Sequence, residues 1–172
     1  MADLTLTLTE RLLLANQLRI LQHLNPDEDY SLHLEIVENG YEHLYDELTN
    51  GLFDPPAPGV GPEVYDIFDM FRSLSHSIDS LSDKSGVDID RARFRGYDRN
   101  HESQHYAFAR FLIEKRGHYG ESKPAKGNYN THWPVLPVYR RMLAAWRSLG
   151  KRSELLTQDE IVRIIAAGQE QT

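Results

Sequence analysis

No cysteine occurs anywhere in the 172 residues. A disulfide scaffold, a thiolate zinc site and a Cys–His nucleophile pair are thereby excluded. The lack fits a reducing cytosol. Long apolar runs are missing too. The greasiest stretch, Leu12-Leu13-Leu14, is interrupted by Arg11, Asn16, Gln17 and Arg19. It is neither a signal-peptide core nor a membrane span, so the sequence reads as a soluble cytoplasmic protein with no membrane partner. Positive charge is scarce: 19 Lys and Arg stand against 26 Asp and Glu, a net charge of -7. That balance disfavours direct contact with nucleic-acid phosphates. Strand-like alternation, glycine-rich phosphate loops, the G-x-S-x-G elbow and internal repeats are not found.

What is present is a helical pattern. Hydrophobic residues make up 40% of the chain and aromatics 10%, enough for a core. The expectation is one all-α domain over 1–172, with flexible ends near 1–6 and 168–172. The fold expected is an irregular bundle of about five to six helices with two long loops. Thr7 and Glu10 have capping-box spacing, and Asn25-Pro26 marks the end of a first helix. Its apolar arc holds Leu13, Leu14, Leu18, Ile20, Leu21 and Leu24, with Gln17 in the middle. A second helix is expected over Asp27–Thr49, running straight through Gly40. The stripe Tyr30, Leu34, Val37, Tyr41, Leu44, Tyr45, Leu48 keeps its phase there. Gly40 is then tolerated at about 1 kcal/mol and used for close approach of a neighbour.

Phe53 to Pro62 reads as an inter-helix connection. A third helix spans Pro62 to Leu81, with Ile67, Met70, Phe71, Leu74, Ile78 and Leu81 inward. Ser82 to Gly96 is irregular, with room for a short helix after Asp88. A fourth helix is expected from Asp98, its N-cap, to Gly117, with Phe108, Phe111 and Leu112 buried. After the loop Gly117–Trp133, a fifth helix covers Leu136–Leu149. A short sixth follows Thr157, where Thr157 and Glu160 repeat the capping-box spacing.

Chemistry is signalled most sharply by His101-Glu102-Ser103-Gln104-His105. This is H-E-x-x-H, in which two imidazoles one turn apart on a helix hold zinc and the Glu acts as general base. A zinc-dependent hydrolase is therefore an alternative function. A third ligand is not evident, and Phe108 and Phe111 stand where the longer metzincin motif needs Gly and His. The ordinary reading is two half-buried histidines bonded to backbone or carboxylate, with no cofactor. Arg91, Arg93, Arg95 and Arg99, interleaved with Phe94 and Tyr97, form the one basic cluster and the basis for a nucleic-acid-associated alternative. Pairing with the excess acids is the ordinary reading. Gln17 needs hydrogen-bond partners if buried.

The chain resembles the YfbU family from about Leu8 to Ala166. The resemblance rests on Arg11-Leu12 with Asn16-Gln17, Gly40-Tyr41, Asp69-Met70, and Gly96-Tyr97-Asp98 followed by Glu102. It continues with Arg110-Phe111, Tyr129-Asn130, and Tyr139 with Arg141-Met142-Leu143 and Trp146. It implies a small bacterial all-helical cytosolic protein with no assigned activity or catalytic residues. Some members join such a domain to a helix-turn-helix segment, which implies a sensory or ligand-binding role. The family pattern includes Glu102 but not the histidine pair. It raises Gln17, Asp98, Glu102 and Arg110 as a shared polar network, either structural or lining a pocket, and Tyr41, Tyr97, Tyr129 and Asn130 join them as candidate ligand-binding residues. The leading expectation is a non-enzymatic regulatory, ligand-binding or protein-interaction module that self-associates. Its partners would be a small molecule or another protein.

Overall fold

The computed structural model describes residues 4–124, 127–150 and 155–169. Parts of the ends expected to be flexible, 1–3 and 170–172, lie outside the described residues. Seven α-helices and no strands are found among them, as the helical patterning predicts. None is long and apolar enough to cross a membrane. Contacts divide the chain into two compact units, 1–55 and 56–172. The division falls in the Pro-rich loop read above as a connection.

The first unit holds α1 (Leu8–Leu24), α2 (Ser31–Asn39) and the short α3 (Tyr45–Leu48). The capping box at Thr7 and Glu10 is present, and Asn25 closes α1. The single long second helix is overturned. α2 ends at Gly40, which is left-handed at φ +69°, and a 3-10 turn over Glu42–Leu44 leads into α3. Periodicity misled because Val37 and Tyr45 are both buried although they sit on separate helices. The expected close approach at Gly40 is real. A Cβ there would stand 2.8 Å from the Arg11 guanidinium carbon. Arg11 occupies that space because it serves the exposed end of α2, with Nε donating to the Val37 carbonyl at 2.7 Å and Nη2 to that of Glu38. The core of this unit is small: Ala15, Ile36, Val37 and Tyr45. Gln17, expected among buried leucines, is exposed.

The second unit is built on α4 (Val60–Ser80), with α5 (Ser103–Glu114), α6 (Leu136–Ser148) and α7 (Gln158–Ala167). The inward stripe of α4 is buried as the sequence predicts, except that Leu81 lies just past the helix end and is half-buried. Burying each such side chain contributes roughly 1.5–3 kcal/mol. The capping box at Thr157 and Glu160 is also present. Ser77 is buried on α4. Its hydroxyl donates to the Ser73 carbonyl at 2.7 Å and accepts the Leu156 N–H at 2.9 Å, which docks the entry of α7.

Three expectations fail here. The fourth helix does not start at Asp98. Residues 98–102 form a turn of their own, with the Glu102 N–H on the Asp98 carbonyl at 2.7 Å, and α5 begins at Ser103. Phe111 does not mark the buried side, being 47% exposed. His105, Ala109, Leu112 and Ile113 face inward instead. No helix forms after Asp88, where the backbone makes a single turn to Arg91 and Ala92.

Alternation does exist in one place. Ala92, Phe94 and Gly96 are buried while Arg91, Arg93 and Arg95 are exposed. This segment ends in an isolated parallel bridge between Tyr97 and Asn130. The Tyr97 N–H donates to the Tyr129 carbonyl at 2.8 Å and the Thr131 N–H to that of Tyr97 at 3.2 Å. Gly96 makes this possible. It has φ +106°, and a Cβ would fall 1.9 Å from the Tyr129 oxygen.

Candidate functional site

A cavity of about 670 Å³ opens in the second unit where α4 and α5 begin and beside the first turns of α6. Its charged side chains arrive from all three helices. Glu63 sits in the first turn of α4. Arg140 reaches it from α6 with a two-point bond, Nε to Oε1 at 2.7 Å and Nη2 to Oε2 at 2.9 Å. His105 of α5 adds Nε2 to Oε2 at 2.8 Å. One turn further on α4, Asp66 pairs with Arg147, two turns beyond Arg140 on α6. The Arg140 bonds hold the Glu63 carboxyl below its ordinary pKa against partial burial.

Glu102 is buried at the edge of the cavity. Its Oε2 accepts the Asp98 N–H at 2.9 Å, and its Oε1 accepts the Leu136 N–H at 2.6 Å. It therefore caps α6 from the end of the 98–102 turn and fixes that turn. Asp98 is buried too. Its Oδ1 accepts the Asn100 N–H at 3.0 Å and its Oδ2 meets His101 Nδ1. Bonding to His101 lowers the Asp98 pKa.

The residues proposed from sequence are thus distributed. Tyr97, Asp98, Glu102, Tyr129 and Asn130 come together around the bridge, with the Asn130 side chain accepting the Arg99 N–H at 3.1 Å. Arg110 lies apart, paired with Glu114 on the exposed side of α5. Gln17 and Tyr41 belong to the first unit, where both are exposed. Of the H-E-x-x-H pair, only His105 is on a helix. His101 sits in the preceding turn, against Asp98, while His105 faces Glu63. Among the described residues no group of three or more His, Asp or Glu is arranged to hold a metal ion.

In the basic cluster Arg91 pairs with Asp88 at 3.2 Å and Arg95 bonds the Asp90 carbonyl. The first three arginines rim a small crevice of about 240 Å³ beside Trp133.

Sequence reasoning missed Glu63, Asp66, Arg140 and Arg147. The signal was there in principle. Glu63 and Asp66 are three apart on one helix, and Arg140 and Arg147 are seven apart on another, so each pair shares a face.

The donor and acceptor balance of this cavity is uneven. Its carboxylates are consumed: Glu63 by Arg140 and His105, Asp66 by Arg147, Glu102 by two backbone N–H groups. Donors are left over. No side chain caps α5, so the first-turn N–H groups of Ser103, Gln104 and His105, which line the opening, have no capping partner. Beneath them lies Tyr97, fully buried, its ring 5.5 Å from that of His105. Its hydroxyl has no partner among the described residues. Burial drives its pKa well up, and it lies behind the residues that line the cavity.

The comparisons with known proteins agree on kinship. The sequence profile of the YfbU domain matches residues 4–167. A protein described as "UPF0304 protein MJECS11" from Methanocaldococcus jannaschii is 34% identical over 163 residues, covering 92% of this chain and 97% of its own length. The chain belongs to the YfbU family.

Proposed function

We propose that this member of the YfbU family is a ligand-binding regulatory module, and that its ligand is a small anion bound at the open end of α5. The observation that carries the reading is the uncapped start of α5, which lines a cavity that Arg140 and Arg147 also line. A ligand with several acceptor oxygens takes up the first-turn N–H groups and meets the partial positive charge of the helix start. Carboxylate and phosphate have this chemistry. Arg140 and Arg147, each about half exposed, add long-range attraction without giving up their carboxylates.

The test is thermal melting of the full chain with inorganic phosphate, against chloride at equal ionic strength, for wild type and Ser103→Asp. Wild type is stabilised by phosphate in a saturable way. Ser103→Asp, which puts a negative charge at the same helix start, melts at or above the wild-type temperature without phosphate and loses at least half of the phosphate shift. Equal shifts with phosphate and chloride, or an undiminished shift in Ser103→Asp, defeat the proposal.

A further inference from the structure

The crevice beside Trp133 has a chemistry that the cavity at α5 does not share. Arg91, Arg93 and Arg95, which line it, alternate with buried Ala92, Phe94 and Gly96. The buried neighbours fix the backbone that carries the arginines. Phe94 packs edge-on against Phe68 and Phe71, with ring centroids 4.9 and 5.8 Å apart. The Arg95 N–H donates to the Tyr139 hydroxyl at 3.1 Å. Between the arginines and Trp133 the lining is apolar: Val138 and Met142 of α6 and Ile165 of α7. Trp133 itself is 58% exposed.

Three features specify the occupant. The first is charge. No acidic side chain lines the crevice among the described residues, in a chain with 26 of them. Arg91 is paired with Asp88, but Arg95 bonds only the Asp90 carbonyl. Arg93 has no hydrogen-bond or ion-pair partner for its guanidinium among the described residues. It also borders a hollow with Asp79 and Glu121, yet those acids are taken by Lys84 and Arg72. The negative end of α7 would repel an anion. Arg141 covers it, with Nε donating to the Ala167 carbonyl at 3.2 Å and Nη2 to that of Gly168 at 2.8 Å.

The second is the lack of neutral polar groups. The Tyr139 hydroxyl is already engaged, since it accepts from Arg95 and donates to the Gly96 carbonyl at 3.2 Å. A nucleobase needs matched donors and acceptors along its edge, whereas a hydrocarbon ring needs none. The third is size. At about 240 Å³ the crevice falls just below the range of about 300–1,000 Å³ that holds drug-sized ligands, so a single ring with one charged group suits it.

We infer that this crevice binds a small aromatic carboxylate, with its ring against Trp133 and Met142 and its carboxylate on Arg93. The anion site at α5 plays no part in this inference, and either can fail alone.

The probe is benzoate, titrated to about 10 mM into the full nitrogen-15-labelled chain at constant ionic strength. The chain has two tryptophans, and Trp146 is buried elsewhere. Trp133→Phe assigns the two indole N–H resonances. Benzoate moves the Trp133 resonance in a saturable way and leaves that of Trp146 in place. Benzamide, which lacks the charge, and acetate, which lacks the ring, each bind about tenfold more weakly or worse. Arg93→Gln, at an exposed position, keeps the rest of the spectrum and weakens benzoate by about tenfold. Arg110→Gln, an equal loss of charge elsewhere, leaves benzoate binding unchanged. The inference is overturned if the Trp133 resonance does not move saturably, or if benzamide or acetate matches benzoate. It is also overturned if Arg93→Gln binds as wild type does, or if Arg110→Gln weakens binding as much as Arg93→Gln.

Discussion

The Arg11 guanidinium lies flat against Gly40, where any larger residue would collide with it at 2.8 Å. The two residues form one device. Gly40 supplies a left-handed turn that costs other residues about 1–2 kcal/mol, and Arg11 takes up the carbonyls that the turn leaves free. Gly40→Ala therefore strains the backbone and expels the guanidinium together. Amide hydrogen exchange at the end of α2 reads the outcome. Protection falls in Gly40→Ala and in Arg11→Ala, and the double variant loses less than the sum because one interaction is removed twice.

Gly96 is the least replaceable glycine of the second unit. The collision of a Cβ with the Tyr129 carbonyl is backbone against backbone, so no rotamer relieves it. Gly96→Ala is expected to cost at least about 3 kcal/mol, combining the positive φ with loss of the bridge. A urea titration followed by near-ultraviolet circular dichroism measures it. Gly117→Ala, with positive φ but open space at its Cβ, is the milder control.

Glu102 acts through acceptors alone. Glu102→Gln keeps the shape but sets an amide N–H against one of two backbone N–H donors. The expected loss is about 1–3 kcal/mol, read from the denaturant midpoint. Glu102→Ala loses both bonds and falls further.

Glu63 sets a pH dependence. Its folded pKa lies below the ordinary 4.5 because Arg140 bonds its charged form. The stability it contributes is complete above the unfolded value and is lost as pH falls through the lower folded value. The melting temperature of wild type should exceed that of Glu63→Gln at neutral pH. The gap should narrow below pH 4.5 and close in stronger acid. A gap independent of pH would mean that the Arg140 pairing contributes nothing.

Much of the fold was legible because local signals and tertiary packing agree. Both capping boxes, the stripe of α4 and the end of α1 at Asn25 need only residues near in sequence. Gly40 was half legible. Its crowding follows from having no side chain, but whether it breaks a helix depends on Arg11, 29 positions earlier, supplying donors to the freed carbonyls. Asp98 misled because it has the composition of an N-cap, yet its carboxylate is drawn to His101 and Asn100. The cavity was least legible. His105 meets Glu63 from 42 positions away and Arg140 meets it from 77, and no periodicity encodes which faces of two helices will confront each other.

The lacing of Tyr97 to the Tyr129–Thr131 segment acts as a ruler between two irregular stretches. Both backbone groups of Tyr97 are engaged, on either side of Asn130, so the alignment of the segments has no freedom to slide. One residue inserted between Tyr129 and Thr131 shifts Asn130 away from the Arg99 N–H and tilts the ring of Tyr97 off its neighbours. The same insertion beside Gly120 is absorbed by the chain before the ruler begins. Drift in length among relatives should therefore collect on the Gly120 side and spare the three residues opposite Tyr97.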